Sequence, residues 1–185
     1  KILDLYNELL NPNGIGFISY NVYPGCYRRQ IVGDMMRFYT QNMPNPVDKV
    51  QQGVNFINFL TENTASSTAY HEILKYELES FARRPLENIY HDDLAEINQA
   101  FYFSEFAAEA EKYNLKFLTE SDYLATERNS LPPEIAGTFQ EISQNIIEYE
   151  QYADFFECRR FRQTLLCKKD AEIKTKLEAS DLKGF

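Results

Sequence analysis

The residues best able to do chemistry stand near the middle of the chain, in the segment NIYHDDLAEINQAF. His91 is one of two histidines in the sequence, and two carboxylates, Asp92 and Asp93, follow it directly. A histidine beside a carboxylate can accept a proton near neutral pH, which makes His91 the candidate general base. The alternative is a loop histidine that caps a turn. No metal site is expected, because consecutive side chains do not converge on one ion unaided and no second histidine is near in sequence.

A second polar group follows the short apolar run IGFIS. Tyr20, Asn21 and Tyr23 would lie at the carboxyl end of a strand, which is where open α/β sheets bind ligands. We therefore predict that these three residues, together with Asp92, contact a substrate. Arg28 and Tyr102 are further substrate-binding candidates. The alternatives are turn formation for the first three, a solvated helix start for Arg28 and core packing for Tyr102.

Composition narrows the function classes. The chain has 185 residues, with 13 Tyr and 14 Phe, which favours a packed globular chain. Its net charge of −9 disfavours binding to nucleic acid. Three cysteines without a CxxC spacing argue against a disulfide framework or a zinc site and suggest a reducing, cytoplasmic location. No apolar run approaches the ~20 residues that span a membrane.

Arginines nevertheless gather in three places. We interpret these groups as solvated faces, or as stems that pack over apolar surface. They are Arg28-Arg29, Arg83-Arg84 and Arg159-Arg160-Arg162.

The N-terminal 25 residues read as helix, turn, buried strand and loop. Ile15, Phe17 and Ile18 form the apolar run of a strand that is covered on both faces, as in a parallel sheet. Parallel strands do not occur alone, and Lys1 already lies in the first helix. The expectation is therefore a piece of a longer protein whose preceding part supplies the neighbouring strands.

Helices dominate the next part of the sequence. Apolar residues recur at helical spacing near 27–42, 46–60 and 70–84, with Asn45 as an N-cap and Pro46 in the first helical position. The segment 86–101 is predicted to be a loop with a short helical turn. The face predicted to be buried in the first of these helices consists of Ile31, Met35, Phe38 and Tyr39.

The C-terminal part adds a helix near 102–113, a strand at 115–120, a long helix near 133–158 broken at Ser143, and a strand at 161–167. The final strand alternates, with Phe161, Leu165 and Cys167 predicted on one buried face and Leu166 on the other. A loop at 124–132 separates the strand at 115–120 from the long helix near 133–158.

The predicted fold class is α+β, a fragment of an α/β fold. It is mostly helical and has a small three-stranded mixed sheet, with a helical insertion after the first strand.

Several sequence stretches resemble the bacterial predicted methyltransferase regulatory domain. They are GFISYNVYPG, NIYHDDLAEINQAFYFSEFA and RRFRQTLLC, and the similarity covers roughly residues 14–168. The element order also resembles the second half of a class I S-adenosylmethionine-dependent methyltransferase, in which an antiparallel strand pair closes the sheet. This resemblance implies the strand order first–last–middle, with the last strand antiparallel to both others.

Two features depart from that pattern. Cys26 stands where the family usually has a large aromatic residue after Pro-Gly. The Gly-rich turn and the acidic ribose-binding residue that hold the cofactor are not found, since Gly14-Ile15-Gly16 precedes a strand instead of following one. No cofactor-binding residue is therefore assigned to this chain, and S-adenosylmethionine is expected only in the full-length protein.

The resemblance implies a domain organisation and a function. Residues 1–25 and 100–168 would be the C-terminal half of a methyltransferase-like sheet, 26–99 a lid-like regulatory insertion, and 169–185 a polar tail or linker. The function implied is the regulatory or substrate-selecting portion of a methyltransferase that acts on a protein side chain. The partner would be the N-terminal cofactor-binding half, and this chain alone would be inactive.

A different class of function is also open. The chain could be a non-enzymatic helical module that binds a protein through its aromatic surface, so whether it is part of an enzyme is left undecided by the sequence. In either case an uncovered first strand would expose its edge, and we expect the isolated chain to form a homodimer.

Overall fold

The computed structural model describes residues 1–96, 98–122 and 131–173. Most of the loop predicted at 124–132, and the part of the predicted tail beyond residue 173, lie outside these described residues. The chain divides into two compact units. The sheet unit comprises residues 1–20, 101–157 and 161–185, and the helical unit comprises residues 21–100 and 158–160.

The elements of the sheet unit agree with the predicted order. The bounds are α1 Ile2–Leu9, β1 Gly16–Asn21, α6 Phe103–Lys112, β2 Leu115–Glu120, α7 Pro133–Ile142, α8 Ile146–Glu157 and β3 Phe161–Lys168. The long helix predicted at 133–158 is interrupted at Ser143, which is the C-cap of α7 in an extended conformation.

The predicted sheet order is confirmed. The three strands form an antiparallel sheet in the order β1-β3-β2, so the last strand of the chain is central. Leu115 pairs with Lys168 and Glu120 with Thr164, and the β2–β3 register shifts between Phe117 and Thr119. The apolar core packed on this sheet consists of Phe106, Ala110, Leu115 and Leu166.

The predicted faces of β3 are wrong in part. Leu166 and Cys167 are buried as predicted, but Phe161 is about half exposed, and the polar residues Arg162 and Thr164 are buried. Arg162 is tolerated because its charge is fully paired: Nη1 lies 2.6 Å from Glu120 Oε1, and Nη2 lies 2.8 Å from Asp154 Oδ1. A buried guanidinium is stable only with such partners, and hydropathy alternation cannot anticipate them.

The helical unit contains α2 Cys26–Thr40, α3 Pro46–Asn63, α4 Ala69–Phe81, α5 Leu86–Ile89 and a π-helix at Tyr90–Leu94. The predicted start of α3 is confirmed, since the Asn45 side chain accepts a hydrogen bond from the Val47 backbone at 2.8 Å and Pro46 follows it. The core of this unit is built around Val32, Met36, Val50, Ile57, Leu74 and Phe81.

The buried face predicted for α2 is also wrong. Phe38 is 75% exposed, and Ile31 and Tyr39 are exposed as well. The buried face consists instead of Cys26, Arg29, Val32, Gly33, Met36 and Thr40. Arg29 and Thr40 are polar, so the hydropathy pattern does not indicate that they lie on the buried face. They can be buried because their polar groups form hydrogen bonds inside the fold.

A short segment, Cys158–Arg160, completes the helical unit and is called the return segment here. Its carbonyls accept backbone hydrogen bonds from Val22 (3.0 Å, to Arg160) and from Gly25 (2.9 Å, to Arg159). Gly25 is required at this crossing, because a Cβ there would lie 2.6 Å from the Arg159 carbonyl oxygen.

No helix among the described residues combines the length and the apolar character needed to cross a bilayer.

Candidate functional site

The segment that carries His91 is helical, where the sequence predicted mostly loop. After α4, Pro85 opens the short helix α5, and the chain continues into a π-helix over Tyr90–Leu94. A π-helical turn is rare, is less favourable than an α-helical turn, and is often found at functional sites. Here it brings the carboxylates of Asp92 and Asp93 to the same pair of arginines.

The centre of the site is a four-residue charge cluster formed by Arg29, Arg84, Asp92 and Asp93. Arg29 Nε lies 2.7 Å from Asp93 Oδ1, and Arg29 Nη2 lies 3.0 Å from Asp92 Oδ2. Arg84 Nη2 lies 2.8 Å from a carboxylate oxygen of each aspartate. Two cations face two anions, so the cluster is formally neutral and joins α2, the end of α4 and the π-helix.

Burial and ion pairing act in opposite directions on the pKa values of Arg29 and Asp92. The side chain of Asp93 is fully buried, and Arg29 is nearly so. Burial alone would lower the pKa of Arg29, but its bonds to Asp93 and Asp92 raise it above the ordinary value. Burial would likewise raise the pKa of Asp92, yet the hydrogen bonds from His91 and Arg29 and the arginine charges lower it overall.

Asparagine side chains extend the cluster towards the end of β1. Asn21 Nδ2 donates to Asn98 Oδ1 at 2.8 Å, and Asn98 Nδ2 donates to the backbone carbonyl of Asp92. Arg37 Nη1 donates to the backbone carbonyl of Asp93 at 2.6 Å. The π-helix is therefore held by side-chain donors from several elements.

A cavity of about 20 Å³ lies within this network, lined by Asn21, Arg29, Gln30, Asp93 and Asn98 among others. That volume accommodates about one water molecule. Small-molecule sites usually need roughly 300–1,000 Å³, so the cavity alone does not hold a cofactor or a complete substrate. The network is suited to positioning the surrounding side chains.

His91 lies at the outer surface of this site. Its side chain is 86% exposed, and Nδ1 lies 3.0 Å from Asp92 Oδ1. Asp92 can thus orient the imidazole and leave the other ring nitrogen toward solvent. The predicted role of His91 as a general base stays a prediction.

Tyr23 and Arg28, also predicted to bind substrate, lie in the same unit. The Tyr23 hydroxyl accepts a hydrogen bond from Gln30 Nε2 at 2.6 Å, and its ring stacks on Tyr27 with centroids 4.2 Å apart. The Arg28 guanidinium lies 4.3 Å from the centre of the Tyr76 ring. These contacts fix both residues, and their predicted role in substrate binding stays a prediction.

Tyr20 and Tyr102 belong to the sheet unit. The Tyr20 hydroxyl hydrogen-bonds Thr164 Oγ1 at 3.0 Å, and its ring stacks on Phe106. Burial raises the pKa of Tyr20, so its hydroxyl keeps its proton. Tyr102 is the N-cap residue of α6 and packs edge-to-face on Phe155. The predicted role of Tyr20 and Tyr102 in substrate binding stays a prediction.

Sequence reasoning missed the importance of Arg29 and Arg84. Both belong to the arginine pairs interpreted as solvated, yet each has a carboxylate partner on the π-helix. The available signal was the matching pair of aspartates, Asp92-Asp93. Within the described ranges, no three His, Cys, Asp or Glu side chains are grouped as a metal site requires.

Comparison with known proteins gives a consistent result. Residues 86–168 match the family model described as "Predicted methyltransferase regulatory domain". The uncharacterized protein RP789 of Rickettsia prowazekii is 35% identical over the whole of this chain, which covers 34% of that protein. The uncharacterized protein sll1526 of Synechocystis is 25% identical over 89% of this chain and 33% of its own length.

Solved structures agree with the sequence relatives. PKMT2 from Rickettsia typhi, in complex with AdoHcy, superposes with a TM-score of 0.80 and 34% sequence identity, over 98% of this chain and 34% of PKMT2. A second PKMT2 structure gives a TM-score of 0.79. The chain thus spans about a third of the length of these relatives, and the predicted family resemblance is confirmed.

Proposed function

We propose, on the premise that residues 86–168 belong to the predicted methyltransferase regulatory domain family, that this chain is the regulatory or substrate-selecting portion of an S-adenosylmethionine-dependent methyltransferase. The observation that carries the proposal is the superposition on AdoHcy-bound PKMT2, with a TM-score of 0.80 over 98% of the chain. AdoHcy is what remains of S-adenosylmethionine after its methyl group is transferred, so its presence in a relative supports the reaction class.

The candidate site does not fit the cofactor itself. The Asn21–Asp93 cavity is far smaller than a nucleotide requires. Gly14 comes before β1 and Gly16 is its first residue, so neither glycine lies in a turn that follows a strand. In this proposal the cofactor is held by the part of the longer protein that corresponds to the remaining two thirds of PKMT2. This chain would contribute the side chains that position the methyl acceptor.

The partner half would cover β1. This strand is at the edge of the sheet, and its Phe17 side chain is 47% exposed. An exposed edge with apolar side chains favours pairing with another strand. We therefore propose that the cofactor-binding half packs against β1, which would place the end of β1, at Asn21, next to the reacting groups.

The proposed acceptor is a protein side chain that bears a neutral amine. Methylation of such an amine requires that a proton leave, and His91 would accept it. Asp92 would orient the imidazole through the 3.0 Å contact to Nδ1. Asn21 and Tyr23, in the same unit as His91, would line the approach of the acceptor, where positioning supplies much of the rate.

Variants of the longer protein test this assignment. His91→Ala should lower the methylation rate by about 10²-fold, as expected for loss of a general base, with little change in denaturation midpoint because the side chain is exposed. His71→Ala, on α4, is the matched control and should keep the wild-type rate. A wild-type rate in His91→Ala would show that the site is assigned wrongly.

A second function is favoured by one observation. The helical unit exposes Phe38 (75%) and Phe59 (57%), which is unusual for aromatic side chains and suits a protein-binding surface. In this alternative the chain is a non-enzymatic interaction module. Titration of the longer protein with S-adenosylmethionine separates the two proposals, because only the methyltransferase should bind it.

A further inference from the structure

One buried carboxylate in the helical unit has no role in the site described above. Glu77, on α4, is completely buried, and neither of its carboxylate oxygens has a hydrogen-bond partner in the described part of the chain. An unsatisfied buried carboxylate is costly, so its presence in a packed core needs an explanation.

The nearest cation is on the return segment. Arg160 Nη1 lies 3.6 Å from Glu77 Oε2, which is an ion-pair distance but too long for a hydrogen bond. Arg160 Nη1 is itself buried and, among the described residues, has no hydrogen-bond partner. Arg28 Nε, on α2, is also buried and has no hydrogen-bond partner among the described residues. Unsatisfied donors and acceptors thus occur on three elements, and both arginines act electrostatically on Glu77.

The environment of Glu77 acts on its pKa in both directions. Burial raises the pKa of Glu77, while the nearby arginines act in the opposite direction. The charged and titratable groups that act on it from the packed elements are Arg28, Arg29 and the Cys26 thiol on α2, Asp93 on the π-helix, and Arg160 on the return segment.

The return segment is the element that can move when the charge of Glu77 changes. It is short, and its backbone is held to the chain by the Val22 and Gly25 amides, which donate to Arg160 and Arg159. A movement of less than 1 Å would bring Arg160 Nη1 into hydrogen-bonding range of Glu77. If the return segment backbone follows the Arg160 side chain, the hydrogen bond that the Gly25 amide donates to the Arg159 carbonyl lengthens.

We propose that Glu77 is a proton-operated switch of the helical unit. With its proton bound, the carboxyl group is uncharged and the return segment keeps the position described above. When the proton is released to solvent, the carboxylate draws the Arg160 guanidinium into a hydrogen bond and displaces the return segment from Gly25.

The sign of the pH effect follows from the direction of the shift. A carboxyl whose pKa is raised by folding stabilises the folded chain below its unfolded pKa, and that contribution is lost as pH rises through the folded pKa. Glu77→Gln is uncharged at every pH and has nearly the same shape, so it should remove this loss. We expect its melting temperature to equal that of the wild type near pH 4 and to exceed it by about 2–4 °C at pH 8.

Glu79→Gln, on an exposed position of the same helix, is the matched control and should show no such pH-dependent difference. Hydrogen exchange at the Gly25 amide of the wild-type chain gives a second measurement that needs no variant. After correction for the intrinsic rate, its protection should be lower at pH 8 than at pH 5, and Glu77→Gln should abolish the difference. A Glu77→Gln variant less stable than wild type at pH 8, or a Gly25 protection that does not change between pH 5 and pH 8, would overturn the proposal.

Discussion

Arg29 Nε and Asp93 Oδ1 lie 2.7 Å apart in the buried interior of the helical unit, and they join α2 to the π-helix. The pair fixes the turn that carries His91 and Asp92. The π-helix is therefore maintained by side-chain charge as well as by its own backbone.

The first prediction concerns this pair. Asp93→Asn should destabilise the folded chain by about 3–5 kcal/mol, because it leaves the buried Arg29 without its charged partner. The measurement is the free energy of unfolding in denaturant. Asp34→Asn, which removes the exposed partner of Arg37, should cost less than about 1 kcal/mol. Equal effects of the two substitutions would show that burial of the Arg29–Asp93 pair is not important.

The second prediction compares two glycines. Gly25→Ala should destabilise the chain by about 1–3 kcal/mol or more, because the added Cβ would collide with the backbone of Cys158 and Arg159. Gly137 lies within α7, and nothing is within 4 Å of the Cβ that an alanine would add there. Gly137→Ala should therefore stabilise the helix by up to about 1 kcal/mol. Thermal denaturation of both variants checks the prediction, which a neutral Gly25→Ala would contradict.

Sequence patterns predicted the fold better than they predicted the buried faces. The start of α3 at Asn45-Pro46 follows from local signals, namely capping and proline, and the strand order is implied by the resemblance to a methyltransferase sheet. The inward positions of Arg29 and Arg162 follow from neither, because a charged residue is placed by partners that are distant in sequence. For Arg162 the partners include Glu120, 42 residues away.

The candidate site shows the same limit. His91 and its neighbour Asp92 could be identified from adjacent residue types, and their contact is observed. The π-helix and the arginines that hold it could not, since a π-turn has no clear sequence signature and paired arginines are usually solvated.

The third prediction is a pH dependence opposite in sign to that of Glu77. The pKa of Asp92 is lowered in the folded chain, so its contribution to stability is present above its unfolded pKa of about 3.9 and is lost as pH falls through the folded value. Asp92→Asn lacks this contribution at every pH. The gap in melting temperature between wild type and Asp92→Asn should therefore narrow below about pH 4; a gap that stays constant from pH 6 to pH 2.5 would contradict the assignment.

The fourth prediction is self-association of this chain through β1. Phe17 and Ile15 are exposed beside this outer strand, and a two-fold dimer would bury them. Sedimentation at high micromolar concentration should give a mass near twice 21.7 kDa. Phe17→Asp should shift the chain to monomer, whereas Phe38→Asp, an equally drastic change on the helical unit, should not. A wild-type chain that sediments as a monomer would refute the prediction.

The most direct test of the central claim is calorimetric titration with S-adenosylmethionine, carried out on this chain and on the longer protein to which we propose it belongs. The proposal predicts a dissociation constant in the micromolar range or below for the longer protein, and no measurable binding by this chain, because its described residues contain no Gly-rich turn after a strand and the cavity at the charge cluster is too small for the cofactor. Micromolar binding by this chain alone would contradict the assignment of the cofactor site to the other half. Absence of binding by the longer protein would contradict the methyltransferase function itself.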